Sequence, residues 1–269
     1  MRSTGSPAYD GRREGKVHHV RASQSEEPPR RTLASFASEH SIRNQYKTWE
    51  SRAESWDREN SSAVQPVADA LLDMLDVGPG ARVIDLGCGT GRLALPIAQL
   101  GAEVLAVDVS PAMIDELAQQ ARTLGLTSVQ TMVAPLERLS LSPDDYDLIV
   151  SNYALHHLRN DDKTRLVAAT YRWLRPGGRL VIADMMFGRG ATRGDRQIIA
   201  SKVRTMARKG LPGYWRILKN SFRFMFRVQE RPLPQDEWRR LLATAGFVDV
   251  ESQAVRAEAG IVAGRKPQP

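Results

Sequence analysis

Short apolar runs alternate with amphipathic stretches over most of this chain, and the runs end at glycine, acidic or polar residues. Apolar runs of strand length predict five strands, at residues 82–86, 103–108, 129–133, 146–151 and 179–183. Apolar positions at helical spacing predict helices between them, at residues 92–100, 111–123 and 161–174. Strands that alternate with helices indicate a parallel, doubly wound α/β sheet, whose ligands bind at the carboxyl ends of the strands.

Further elements are predicted on either side of this repeat. A helix is predicted at 41–58, because five residues recur at helical spacing: Ile42, Tyr46, Trp49, Ala53 and Trp56. A further helix is predicted before the first strand, at 64–75. At the C-terminus, a helix is predicted at 234–245 and two strands at 247–254 and 259–265. Asn160 is expected to cap the helix that follows it, and Pro176-Gly177-Gly178 is expected to form a turn.

The first strand runs directly into a loop with a glycine at every second position, Gly87-Cys88-Gly89-Thr90-Gly91. Glycine is needed where the backbone turns sharply or lies against a ligand. The N–H groups at the start of the following helix can hold an anion, here a carboxylate. A dinucleotide-binding loop would place its third glycine at position 92, which is Arg92. This departure disfavours a nicotinamide-dependent oxidoreductase.

The second strand ends at an acidic residue, Asp108, which follows Gly87 by 21 positions (108 − 87 = 21). An acidic side chain at the tip of this strand can accept hydrogen bonds from a ribose. Asp85-x-Gly87-x-Gly89-x-Gly91 followed by Asp108 resembles the first two cofactor motifs of the class I S-adenosylmethionine-dependent methyltransferases.

The resemblance covers roughly residues 42–265 and implies a single methyltransferase domain, 41–265, that binds S-adenosylmethionine. It implies a Rossmann-like seven-stranded sheet, mostly parallel, with an antiparallel C-terminal hairpin and helices on both faces. The residues that it assigns to the cofactor lie at strand tips and loops: Asp85, Gly87, Cys88, Gly89, Gly91, Asp108, Val109, Ala134, Leu136, Asn152 and Tyr153. Among them, Asp85 would lie near the cofactor's amino group and Asp108 would bind its ribose hydroxyls.

This chain departs from the family after the third strand. Family members carry Gly-Asp-Ala-Glu there, and the aspartate holds the adenine amino group. The matching stretch is Val133-Ala134-Pro135-Leu136-Glu137, so that carboxylate is missing. Backbone groups around Ala134 and Leu136 are expected to serve the adenine instead.

The residues that follow the fourth strand resemble the family motif that lines both the sulfonium and the substrate. Asn152 and Tyr153 are expected nearest the methyl group, where an aromatic face can stabilise a cation. His156 and His157 are neighbours, so on a helical turn they point about 100° apart, which argues against a shared metal ion. One of them, or Asp184 at the end of the fifth strand, is a candidate general base for a hydroxyl acceptor. The competing hypothesis for the two histidines is that one packs under the loop and the other is a hydrogen-bonded surface residue.

Two other sets of side chains leave more than one hypothesis open. The family places the helix at 41–58 over the cofactor cleft, where Tyr46, Trp49 or Trp56 would either contact a ligand or pack the helix on the core. Cys88 is expected to be a small residue between two glycines rather than a nucleophile, because no activating partner lies nearby in the sequence.

The formal net charge of +7 is concentrated in one segment. Residues 189–231 contain twelve basic and two acidic side chains, a net +10. On a helical wheel, the stretch 214–228 places Arg216, Lys219, Arg223 and Arg227 in one stripe beside aromatic residues. Such a helix can lie on an anionic membrane, cover an anionic or lipid-like substrate, contact RNA phosphates, or be a solvated lid. Nucleic acid is the least favoured partner, because no recognition module accompanies the segment.

The composition indicates a cytoplasmic protein, with association at a membrane surface as an open alternative. The single cysteine cannot form an internal disulfide, and no apolar segment reaches the length of a membrane span. Residues 1–40 have no apolar period and lack the apolar stretch of a secretory signal, so a disordered tail is predicted. The basic segment, as 188–231, is predicted to be a helical lid inserted in the domain.

Together, these features predict transfer of the methyl group of S-adenosylmethionine to a small-molecule acceptor through an O, N or C nucleophile. The resemblance is closest to methyltransferases of quinones, lipids and natural products, and the acceptor is expected to be anionic or lipid-like. The alternative hypothesis is a non-catalytic cofactor-binding protein that acts through its basic helix at a membrane or nucleic acid.

Overall fold

The structure is a computed structural model that describes residues 33–50, 64–187 and 231–269, with single positions between 188 and 230. The predicted tail lies outside the described residues as far as residue 32. The predicted basic insertion, including its helix at 214–228, lies outside them almost entirely, as does Trp56.

Seven strands form one sheet: β1 (Arg82–Leu86), β2 (Glu103–Asp108), β3 (Val129–Val133), β4 (Tyr146–Asn152), β5 (Leu174–Met185), β6 (Val248–Ala254) and β7 (Ala259–Arg265). Their order is β3-β2-β1-β4-β5-β7-β6. Strands β1 to β5 are parallel to one another, whereas β7 is antiparallel to both β5 and β6. The predicted fold class, a mostly parallel seven-stranded sheet with an antiparallel C-terminal hairpin, is therefore confirmed.

Six helices lie within the ranges 33–50, 64–187 and 231–269: α1 (Leu33–Glu50), α2 (64–72), α3 (Ala94–Gln99), α4 (Pro111–Thr123), α5 (Asn160–Trp173) and α6 (Gln235–Ala245). Short 3₁₀ turns at Leu136–Arg138 and Leu155–His157 follow β3 and β4. Ser110 caps α4, because its hydroxyl accepts a hydrogen bond from the N–H of Met113 at 3.4 Å.

Each face of the sheet has its own hydrophobic core, because neighbouring residues of a strand point to opposite faces. On one face, Ile84 belongs to a cluster with Trp173 of α5 and Trp238 of α6. On the other face, Val83 belongs to a cluster with Leu117 of α4 and residues of α2 and α3. Helices on both faces leave the carboxyl ends of the central strands as the open edge.

Strand β5 and helix α5 begin at residues other than those that the sequence patterns predict. Strand β5 begins at Leu174 and passes through the predicted turn, since Gly177 donates to the carbonyl of Lys266 at 2.9 Å and Lys266 donates to Gly178 at 2.8 Å. Asn160 is the first residue of α5 rather than its cap, and its carbonyl instead accepts the Thr164 hydroxyl at 3.1 Å.

Helix α1 begins at Leu33, whereas the sequence patterns predict a disordered tail up to residue 40. Residues 33–40 contain neither proline nor glycine, so nothing in this stretch stops the helix from continuing towards the N-terminus. Helix α3 is shorter than predicted, because residues 89–93 form turns around Gly91, whose φ is +99°.

Candidate functional site

A cleft of about 790 Å³, its open mouth included, lies at the carboxyl ends of the central strands. Nine of the eleven predicted cofactor-binding residues line it: Asp85, Gly87, Cys88, Gly89, Asp108, Val109, Leu136, Asn152 and Tyr153. The sheet order sets their sequence across the cleft, from the β4 tip through β1 and β2 to the turn after β3. An elongated ligand would therefore meet these four strand ends in turn.

The three glycines of the loop after β1 lack a side chain for different structural reasons. A Cβ on Gly87, whose φ is +73°, would clash with the Cβ of Ala154. Gly89 has a φ of +52° and nothing within 4 Å of a Cβ built on it, so it faces open space in the cleft. Gly91 does not line the cleft; a Cβ there would come within 2.9 Å of Leu95. Gly91 thus allows close packing within the protein rather than room for a ligand.

Asp108 ties the tip of β2 to the glycine loop. One carboxylate oxygen accepts the N–H of Gly89 at 3.0 Å, and the other accepts the N–H of Ser110 at 2.9 Å. Burial raises the pKa of Asp108, whereas hydrogen bonds from the N–H groups of Ser110, Gly89 and Val109 lower it. Each oxygen has a second lone pair, so the carboxylate can also accept hydrogen bonds from ligand hydroxyls.

Asp85 is a second buried carboxylate at the same end of the cleft. It accepts the N–H of Ala94 at 3.1 Å, so this N–H at the start of α3 is used within the protein and not by a ligand carboxylate. Burial raises the pKa of Asp85 to about 7; the hydrogen bond from Ala94 opposes the shift and the charge of Asp108 adds to it. A cationic ligand group beside Asp85 would favour its ionised form.

Asn152 is the last residue of β4, the strand next to β1, and Tyr153 follows it. Within the described residues, the buried Oδ1 of Asn152 has no hydrogen-bond partner, and a buried acceptor of this kind calls for a donor from a ligand. Tyr153 has a φ of +53°, a left-handed conformation that is rare for a side chain of this size and that clusters at functional sites. Burial raises the pKa of its hydroxyl, which therefore stays neutral.

The three candidate bases separate into two groups. His157 lines the cleft, and its ring packs edge-on against Trp49 at 5.1 Å between centroids. His156 and Asp184 do not line it; both are buried, and Asp184 accepts hydrogen bonds from the N–H of His156 at 2.8 Å and from its Nδ1 at 2.5 Å. Asp184 also accepts the N–H of Met185 at 2.7 Å. His156 and Asp184, predicted as alternatives, thus form one pair behind the turn that carries His157.

Ala134, the other predicted cofactor residue outside the lining, is also engaged within the protein. Its N–H donates to the carbonyl of Asp108 at 2.9 Å, so this group is not available to an adenine ring. Cys88 lines the cleft, but burial raises the pKa of its thiol well above the ordinary value, as expected for a residue that is not a nucleophile.

Helix α1 closes one side of the cleft and supplies two lining residues, Gln45 and Trp49. Trp49 is one of the three aromatic residues that the helical pattern singled out, whereas Tyr46 is 42% exposed and points away. Sequence patterns missed the other lining residues, namely Gln45, Val64, Thr90, Arg92, Leu93, Met113 and Ala154. Met113 could have been found from the Ser110-Pro111 helix start, which places it one turn from Asp108; Gln45 carries no such signal.

Within the described ranges, no group of three or more histidine, cysteine, aspartate or glutamate side chains is placed to hold a metal ion. Over the same ranges, no helix has the length and apolarity that crossing a membrane requires.

Comparison with known proteins matches residues 83–178 to the family model of a methyltransferase domain. A ubiquinone biosynthesis O-methyltransferase of Xanthomonas oryzae pv. oryzae is 37% identical over 128 residues, which are 46% of this chain and 51% of that protein. Phosphoethanolamine N-methyltransferase 3 of Arabidopsis thaliana is 35% identical over 116 residues, 42% of this chain and 23% of that protein. The chain therefore spans about half the length, or less, of these curated relatives.

Among solved structures, the chain is similar to the 1,6-didemethyltoxoflavin-N1-methyltransferase of Burkholderia thailandensis, bound to 1,6-didemethyltoxoflavin and S-adenosylhomocysteine. The TM-score is 0.60 at 21% identity, and the match covers 90% of this chain and 94% of that one. At this identity, the similarity concerns the fold.

Proposed function

We propose that this chain is a class I S-adenosylmethionine-dependent methyltransferase, which transfers the cofactor's methyl group to an O, N or C nucleophile of a small molecule. The observation that carries the proposal is the hydrogen bond from Gly89 to Asp108, which joins an open glycine loop to a buried carboxylate at the tip of the next strand, where a ribose can bind. The non-catalytic alternative is not favoured, because the curated relatives named above are methyltransferases.

The chemistry of the cleft residues fits the parts of S-adenosylmethionine. Asp85 and the unpartnered Oδ1 of Asn152 are acceptors suited to the ammonium of its amino acid. Asp108 is suited to the ribose hydroxyls, and the apolar side chains of Val109 and Leu136 to the adenine ring. This assignment follows the order of the strand ends.

The cofactor brings an activated methyl group, so the protein's part in the reaction is to bind, orient and exclude water. An acceptor between Tyr153 and His157 would be held close to the methyl group in a partly dry site, and proximity of this kind can supply much of the rate enhancement. The ring of Tyr153 can stabilise the neighbouring positive charge. The His156–Asp184 pair anchors the 3₁₀ turn that also carries His157.

If the acceptor is a hydroxyl, we expect His157 to act as the general base. The variant His157→Gln should then lower kcat roughly 100-fold while leaving cofactor affinity unchanged, since a positioned base contributes about 10²- to 10⁴-fold. The measurement is transfer of labelled methyl to a panel of catechols and of primary amines such as phosphoethanolamine. His40→Gln, at an exposed position of α1, is the control. An unchanged kcat on a hydroxyl acceptor would contradict this role.

We also propose that the protein is cytoplasmic and that the basic stretch 214–228 attracts an anionic membrane surface, where a lipid-like acceptor would be found. This proposal rests on the net charge of +10 over residues 189–231. Sedimentation with vesicles should show binding to phosphatidylglycerol-containing but not purely zwitterionic lipid. Replacing Lys219, Arg223 and Arg227 with glutamate should abolish it. Partitioning that is unaffected by this replacement would contradict the proposal.

A further inference from the structure

The departure after β3 raises the question of what replaces the missing carboxylate. Resting on the proposed function, we propose that Gln45 of α1 accepts a hydrogen bond from the exocyclic amino group of adenine, and that Glu137 fixes the orientation of the Gln45 amide. The acceptor would thus come from the helix over the cleft rather than from the strand end, where Pro135 stands.

The position of Gln45 is the first support for this role. Gln45 lines the cleft together with Leu136, at the end of the cleft where β3 lies. Its side-chain nitrogen is 3.0 Å from Glu137, the next residue after Leu136. If the ribose is at Asp108 on β2, the base extends towards β3, where Gln45 and Leu136 face it.

The orientation of the amide is the second support. A carboxylate has only acceptors, so the Gln45 NH₂ group must face Glu137 Oε1, to which it donates at 3.0 Å. The same nitrogen donates to the hydroxyl of Ser41 at 3.3 Å. Both N–H groups are thereby used, and within the described residues no donor reaches Gln45 Oε1. A fixed acceptor in the cleft wall matches an amino group and repels a keto oxygen.

Glu137 acts through Gln45 and is therefore a positioning residue. Burial raises the pKa of Glu137, while hydrogen bonds from its own backbone N–H and from the Gln45 side chain oppose the shift. Its second oxygen, Oε2, is buried without a partner within the described part of the chain, so Gln45 is the side chain that this carboxylate holds.

The test compares two ligands by calorimetry: S-adenosylhomocysteine, and S-inosylhomocysteine, in which a keto oxygen replaces the adenine amino group. The wild type should bind the inosyl compound roughly 10- to 100-fold more weakly. Gln45→Met, of similar length but without the acceptor, should bind both with affinities within about threefold of each other. Glu137→Gln should also reduce the difference in affinity between the two ligands, because Gln45 can then turn its NH₂ group to the keto oxygen of the inosyl compound.

Glu39→Gln is the matched control, because it removes the ion pair of Glu39 with Arg138 at 3.6 Å, another contact of α1, and leaves the cleft unchanged. Glu39→Gln should bind S-adenosylhomocysteine more tightly than S-inosylhomocysteine by the same factor as the wild type. Equal binding of both ligands by the wild type, or undiminished discrimination in Gln45→Met, would overturn the proposal while leaving the proposed function intact. Failure of the wild type to bind S-adenosylhomocysteine would instead overturn both. If Gln45→Met does not fold, Gln45→Asn replaces it in the same comparison, because asparagine keeps the amide but is too short to place its acceptor at the same point.

Discussion

Gly89→Arg should abolish binding of S-adenosylmethionine, with affinity lowered at least about 100-fold, while the protein remains folded. Nothing lies within 4 Å of a Cβ at Gly89, so an arginine side chain would enter the cleft itself rather than the protein core. The left-handed φ of +52° adds a strain of about 1–2 kcal/mol, which lowers stability but does not prevent folding.

The control for this variant is Gly125→Arg, because Gly125 is exposed, has a φ of +69° and also has nothing within 4 Å of a Cβ. It introduces the same charge and similar backbone strain away from the cleft. Calorimetric titration should show wild-type affinity in Gly125→Arg and none in Gly89→Arg, with comparable melting temperatures. Retained affinity in Gly89→Arg would mean that the cofactor binds elsewhere.

Asp85 should make the ligand-free protein less stable as the pH rises. Its pKa is about 7 in the folded protein, against an ordinary value of 3.8, so the unfolded chain releases this proton first. The unfolding free energy therefore falls as the pH rises from about 4 to about 7, and this loss remains constant above pH 7. Three pKa units correspond to about 4 kcal/mol of unfolding free energy.

Asp85→Asn removes the titration but keeps an acceptor for the N–H of Ala94. The unfolding free energies of variant and wild type should be similar near pH 4, and the variant should be about 3–4 kcal/mol more stable at pH 8. Asp76→Asn, at an exposed position, should show no such divergence. If the unfolding free energies of Asp85→Asn and the wild type changed with pH in parallel, the proposed cost of ionising this buried carboxylate would be contradicted.

The fold could be predicted from sequence because its signals are local. Each central strand is a short apolar run, and the spacing of Gly87, Gly89 and Asp108 reports a turn and a strand tip that the structure brings within hydrogen-bond distance. Even here, the family resemblance assigned Gly91 to the cofactor, whereas in the structure its lack of a side chain leaves room for Leu95 and Leu117.

The rest of the site could not be predicted because it depends on pairs far apart in the chain. Gln45 and Glu137 are 92 residues apart, and no pattern of residues in either segment indicates that their side chains form a hydrogen bond. His156 and Asp184, 28 residues apart, could be proposed only as separate candidates, since their pairing depends on β4 and β5 being neighbours. The start of β5 was misplaced for a similar reason, because its first residues pair with the end of the chain around Lys266.

Calorimetric titration of the purified protein with S-adenosylmethionine and with S-adenosylhomocysteine tests the central claim most directly. We predict that both bind with micromolar affinity at one site per chain, because in the proposed assignment both would present a ribose to Asp108 and an ammonium to Asp85 and Asn152. Absence of binding to either ligand would contradict the assignment of the cleft to this cofactor, and with it the proposed methyl transfer.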